Sequence, residues 1–262
     1  MAFSIPLVRA DGTGRYESGS SFGADELYKL TPLDPSLKND LAKNTESILG
    51  LRGGLYFYAG WANARFGPVV FVFDAALLRE VKFRGDCSSF DTGGLMQRWL
   101  HLGIEPDERV LVDWARRNTW PLQRFRARLR QHVLAHHRAT TAVPDRHALV
   151  AYLRGDRPRL PDPEGRFAHP SNLRYAWTWE VRLRDPLDLK SPSIHKHLRR
   201  IVIQTNASAA LDRLIDADAT PAASVLWDQW HRTGIWVRAD DPHEHVTRWL
   251  IACAQTGTWQ TG

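Results

Sequence analysis

The chain has 262 residues, 43% apolar and 24% charged, with a net charge of +6, so it can bury a substantial core as one globular domain and is neither disordered nor fibrous in composition. Two cysteines, Cys87 and Cys253, exclude a disulfide framework and a cysteine metal cage, and point to a reducing cytoplasm. No signal-peptide pattern and no apolar run near membrane-spanning length is seen, so no membrane partner is expected.

Residues 1–24 are rich in glycine and serine with weak periodicity and are expected to form an irregular lead-in, ahead of a single domain over 25–262. Glu26–Leu30 reads as a first strand. Asp34-Pro35-Ser36 can cap a helix through Leu41 to Ile48, and Gly50, Gly53 and Gly54 suit its end. Two strongly strand-like runs follow, Leu55–Tyr58 and Val69–Asp74, flanking a turn that carries Arg65. Pro68 can open the second run but not occupy its centre, and Asp74 can cap a short helical turn through Leu78. A third strand is expected before the small, polar loop Cys87–Gly94.

From Leu95 to Arg138 apolar residues recur at mixed spacings of three and four, broken by Pro106 and Pro121. Pro144-Asp145-Arg146 starts another helix with Leu149, Val150 and Leu153 inward, which makes 96–156 a helical insertion. Prolines mark Arg157–Pro170 as a loop. Arg174–Leu183 then alternates Tyr175, Trp177, Trp179, Val181 and Leu183 with polar residues, the pattern of a half-buried strand. His195–Gln204 fits a strand or a short helix, while Ala207–Leu214, Ala222–Arg232 and His243–Trp259 read as helices. Segregated runs of strands and helices predict an α+β fold: a central mixed or antiparallel sheet with a helical insertion and C-terminal helices.

No G-x-x-x-x-G-K-[ST] and no strand-linked G-x-G-x-x-G occurs, which removes the usual support for NTPase and Rossmann readings. His136-His137, His195-x-His197 and His243-x-His245 are the histidine clusters, and neither His-x-His pair has a carboxylate pattern matching a metal motif. Surface histidines fit them better than metal ligands. Cys87 and Ser88-Ser89 follow a strand, but without the G-x-S-x-G of a nucleophile elbow. Arginines crowd 116–138, where Arg124 and Arg128 belong either to a solvated helix face or to a face that contacts nucleic-acid phosphates. Eleven tryptophans are a high count for this length, and core packing accounts for most of them.

Glu180 lies on the alternating strand and shares a face with Thr178 and Arg182. One reading is a solvent-facing carboxylate paired to arginine. The other is a cleft in which the carboxylate bonds a ribose hydroxyl and stabilises an oxocarbenium-like centre. Arg65 would then hold a pyrophosphate or carboxylate by bidentate contacts, and Tyr56, Tyr58 and Trp61 could stack on a nicotinamide or base.

Three segments resemble the ADP-ribosyltransferase superfamily, in particular its DarT-like toxins that modify DNA. Leu27-Tyr28-Lys29-Leu30-Thr31, followed by a helix ending in Ile48-Leu49-Gly50-Leu51, is similar to the family's opening strand and helix. Tyr56-Phe57-Tyr58 through Asn63-Ala64-Arg65 resembles its aromatic strand leading to an arginine. Trp179-Glu180-Val181 with Asp185-Pro186-Leu187 is similar to the late strand bearing the catalytic glutamate. The resemblance implies NAD as substrate, Glu180 and Arg65 as catalytic residues, and Thr31 beside the nicotinamide ribose. Tyr56 and Tyr58 would help bind NAD together with Lys29, which stands where the family usually has histidine. Residues 96–156 match no part of it.

Three functions follow as expectations. The first is an NAD-dependent mono-ADP-ribosyltransferase modifying a nucleic acid or protein, in a bacterial toxin or defence setting. The second is a non-enzymatic nucleic-acid- or protein-binding module built on the arginine block. The third is a metal-dependent nuclease or hydrolase using the histidine pairs.

Overall fold

A computed structural model describes residues 7–11, 29–30, 55–59, 69–80, 84–90, 108–137, 146–154, 179–206 and 228–258. Ten strands are described: β1 Leu7–Asp11, β2 Lys29–Leu30, β3 Leu55–Ala59, β4 Val69–Phe73, β5 Gly85–Ser88, β6 Thr119–Pro121, β7 Trp179–Leu183, β8 Leu187–Asp188, β9 Leu198–Gln204 and β10 Trp236–Ala239. The helices are α1 Leu77–Glu80, α2 Glu108–Arg117, α3 Phe125–His137, α4 Arg146–Arg154, α5 Pro192–His195 and α6 Pro242–Thr256. A further helical stretch is seen at 228–232.

Eight strands form one sheet in the order β10-β9-β4-β1-β3-β7-β5-β6, and β2 pairs with β8 separately. Every neighbour in the large sheet is antiparallel except β9 with β10, which run parallel. The sheet is therefore mixed, and the α+β class is what the chain adopts.

The apolar runs occupy the middle of this sheet for the reason their composition suggests. All five residues of β4, Val69 to Phe73, are buried, as expected of a strand covered on both faces. Phe57 on β3 meets Phe73 edge-to-face at 5.8 Å. Trp179 on β7 stacks on Trp120 of β6 at 5.6 Å and meets Phe125 of α3 edge-on at 5.9 Å, fastening the helical block to one sheet face. The Tyr152 hydroxyl of α4 donates to the Ala59 carbonyl at 2.6 Å. α6 lies against β9, β4 and β10 and packs on α4. Its first turn is capped by Asp241, whose carboxylate accepts from the His243 and Glu244 amides at 3.0 Å each. Gly257 ends it at φ 73°, the left-handed conformation that favours glycine.

Four local expectations change. Leu7–Asp11, inside the stretch read as an irregular lead-in, is a strand between β3 and β4. Its Arg9 and Asp11 hide it, because charged residues in a short run blur the strand pattern. Thr119–Pro121, inside the helical block, is the edge strand β6, a position where proline is tolerated. Cys87 and Ser88 sit on β5, not in the loop after it. The segment from His195 holds both alternatives, the end of the short helix α5 and then strand β9. The helix expected from Leu41 to Ile48 and the loop Arg157–Pro170 lie outside the described residues.

Candidate active site

The site is built on three neighbouring strands. Pairing sets Tyr58 of β3 opposite Glu180 of β7, and Glu180 opposite Ser88 of β5. One row along, Tyr56 is opposite Arg182, and Arg182 is opposite Asp86. Directly opposed residues project to the same sheet face, so these six side chains form one polar patch. The other face of the same strands carries Leu55, Phe57, Cys87, Trp179, Val181 and Leu183.

The half-buried strand expected from alternation is not what forms. All of Trp179–Leu183 is buried, with Glu180 1% and Arg182 0% exposed, so the solvent-facing carboxylate is ruled out. Burial forces these charges to pair. Arg182 Nη1 is ion-paired with Glu180 Oε1, and Arg182 Nη2 with Asp86 Oδ1. Arg182 Nε also donates to Asp86 Oδ1 at 2.5 Å. The Ser88 hydroxyl accepts from Arg182 Nη1 at 3.3 Å and donates to the Phe90 carbonyl at 2.8 Å. At the rim, Arg184 Nη2 stands 3.4 Å from Asp86 Oδ2. Burial works against the charge on Arg182, but Glu180 and Asp86 outweigh it and hold the guanidinium above its usual pKa. The result is a fixed charge ladder, Glu180–Arg182–Asp86–Arg184, running across β7 and β5.

Of the residues expected at a site, Glu180, Tyr56 and Tyr58 come together. Tyr58 is buried and Tyr56 is half-buried. Lys29 lies on the small sheet, opposite Asp188 of β8 in register. Arg65, Thr31 and Trp61 lie outside the described residues. Arg124 is exposed at the end of a short 3-10 turn, and the Arg128 guanidinium sits 5.2 Å from the centre of the Trp120 ring. Trp120 is opposite Cys87, so its ring stands on the sheet face away from Glu180. Arg128 and the Glu180 patch are therefore on opposite faces.

The pairing of Glu180 with an arginine on its own face was one expectation and is met by Arg182, although buried and not facing solvent; Asp86 was not expected at the site. Nothing local in Gly85-Asp86-Cys87-Ser88 marks a partner for a strand almost a hundred residues later. The signal appears only once β5 is paired with β7.

The other constellations resolve differently. Cys87 is fully buried, and burial pushes its thiol up to about 12, which keeps it protonated and a poor nucleophile. The His195 imidazole accepts a hydrogen bond from the Trp230 indole, the two rings lying nearly coplanar and edge to edge, while His197 is buried. The side chains of His136 and His137 lie outside the described residues. Among the described residues no group of three His, Cys, Asp or Glu side chains is placed to hold a metal ion, and no helix is long and apolar enough to cross a membrane.

No family model, curated protein or solved structure matches the chain.

Proposed function

We propose that the chain is an NAD-consuming mono-ADP-ribosyltransferase in which Glu180 is the catalytic carboxylate. The observation that carries this reading is a carboxylate at 1% exposure, set between uncharged Tyr58 and Ser88 and held by one oxygen to Arg182. A carboxylate fixed in a water-poor site acts strongly on positive charge that develops beside it. In the proposed reaction the bond between the ribose and nicotinamide breaks, and its electron pair leaves with nicotinamide. The acceptor's nucleophile bonds to the same ribose carbon, and its proton passes to Glu180. Tyr56, half-buried on the adjacent row, offers an aromatic face for nicotinamide or base.

By the resemblance Arg65 assists NAD binding or catalysis and Thr31 sits beside the nicotinamide ribose, while Lys29 stands where the family usually has histidine. At 1% exposure Glu180 meets NAD only when the groups over this face part, so turnover includes an opening step. The acceptor is a nucleic acid or a protein. Arg128, over Trp120 on the far face of the sheet, could grip the backbone of a nucleic acid only where the strand passes round the sheet edge at β6 to reach Glu180.

The test is transfer of label from adenine-labelled NAD to single-stranded DNA or to a protein acceptor, with the wild type, Glu180→Gln and Arg65→Lys. Label transferred by the wild type and lost in both variants supports the reading. Transfer that survives in Glu180→Gln rejects it.

A second reading, a nucleic-acid-binding module without catalysis, has one favouring observation: the Arg128 guanidinium over the Trp120 ring, with Arg124 exposed nearby in the chain. It predicts DNA binding that weakens steeply with salt and is indifferent to Glu180→Gln.

A further inference from the structure

Away from the Glu180 patch, a second group of polar side chains gathers where α6 crosses β9. His245, Trp249 and Cys253 recur every four residues and so form one stripe along α6. Arg200 of β9 meets that stripe, its guanidinium 4.7 Å from the centre of the Trp249 ring. Arg200 and His245 are close enough to interact electrostatically, as are Arg200 and Cys253.

Two features of this cluster are unusual. Arg200 Nε and His245 Nε2 are both buried, and neither has a hydrogen-bond partner among the described residues. Nor, among the described residues, does Arg200 have a carboxylate within ion-pair reach, although the arginines around it do: Arg199 pairs with Asp74 at 3.0 Å, and Arg248 pairs with Glu244. Buried donors are ordinarily satisfied, and a half-buried guanidinium is ordinarily matched by an anion. Trp249 already covers one face of the guanidinium, leaving its edge as the direction of approach.

We propose that Arg200 and His245 form a binding site for a phosphate group. The guanidinium presents a fork of donors and the imidazole adds one from the facing helix, so donors converge from two elements on one oxyanion. A phosphate offers three or four oxygens in a tetrahedron, so it can accept the arginine fork on two of them and the imidazole on a third. The Cys253 thiol lines the site as a neutral group, since burial raises its pKa above the ordinary value. The charges that face His245 are Arg200 from β9 and the group bound there. The site is separate from the Glu180 patch: the register row runs Arg200, Val72, Val8, Tyr58, Glu180, four strand spacings or roughly 19 Å. It does not depend on the transferase reading.

The test is titration of the full chain with inorganic phosphate at constant ionic strength, followed by calorimetry and by phosphorus NMR line width. The variants are Arg200→Gln, His245→Gln and, as a control on the exposed side of the same helix, Arg248→Gln. The expected result is saturable binding that weakens about tenfold or more in each of the first two variants and is unchanged in the third. Thermal melts in phosphate-free buffer confirm that each variant is folded; should Arg200→Gln fail to fold, Arg200→Lys replaces it, with the same weakening expected from loss of the fork. No saturable binding by the wild type, or equal binding by the wild type and both site variants, overturns the proposal. Acetate binding as tightly as phosphate overturns the assignment to phosphate.

Discussion

Arg182 and Glu180, two residues apart on one strand, point to the same buried face and share an ion pair. Asp86, from the neighbouring strand, takes the rest of the guanidinium. This arrangement turns a pattern that looks amphipathic into a strand covered on both sides. It also fixes the rotamer of the one carboxylate on which the proposed chemistry depends.

Removing the centre of that ladder takes from Glu180 the arginine it pairs with and leaves Asp86 only the longer contact to Arg184. Arg182→Met is expected to lower stability by about 3–5 kcal/mol, because the loss is of one partner and not of the whole network. Asp86→Asn removes one charge but keeps an acceptor, and should cost about 1–3 kcal/mol. Urea unfolding followed by tryptophan fluorescence reads both. A loss below 1 kcal/mol for Arg182→Met would show that these side chains are solvated in solution.

Gly85 sits where β5 comes closest to β7. A Cβ there would lie 2.0 Å from the Arg182 carbonyl oxygen and 2.8 Å from Leu122 Cδ1. The oxygen belongs to the backbone and cannot swing away, so the strands must separate. Gly85→Ala is therefore expected to destabilise by at least about 2 kcal/mol, where a glycine in an open strand would gain from the same change. A neutral or stabilising result in the same urea assay would mean that β5 does not pair with β7 in this register.

Acid should weaken the fold before carboxylates titrate. Burial lowers the pKa of His195, and burial with the Arg200 charge lowers that of His245, both below the ordinary value of 6.5. The unfolded chain then takes up protons that the folded chain refuses. Stability is full above about pH 6.5 and falls as pH drops through the lowered folded values. Protonation of His195 would also remove the acceptor used by Trp230. The urea midpoint in phosphate-free buffer should be higher at pH 7.5 than at pH 5.5, and the difference should shrink in the His195→Gln, His245→Gln double variant. An unchanged difference in that variant would assign the pH dependence to other groups.

The parts of the fold legible in the sequence are those with an unbroken local signal. Val69–Phe73 is apolar throughout, and Leu55–Ala59 is aromatic and aliphatic without a breaker, so both read as strands. Asp241-Pro242 announces the start of α6 through cap chemistry. β1 and β6 are short and carry charges or proline, and they become strands because neighbours supply the ladder. Glu180 was legible as a candidate but not as buried, because alternation describes one strand and says nothing of what covers its polar face. Asp86 was illegible for a related reason: its significance lies in its pairing with Arg182, almost a hundred residues away in the chain.

The most direct measurement is nicotinamide release from NAD by the wild type and by Glu180→Gln, each shown by thermal melt to be folded. Glutamine keeps the shape and the oxygen that Arg182 holds, and removes only the charge. Release by the wild type, reduced about a hundredfold or more in Glu180→Gln, is the predicted result. Equal release by the two proteins, or none from a folded wild type supplied with its acceptor, would contradict the assignment of Glu180 as a catalytic carboxylate.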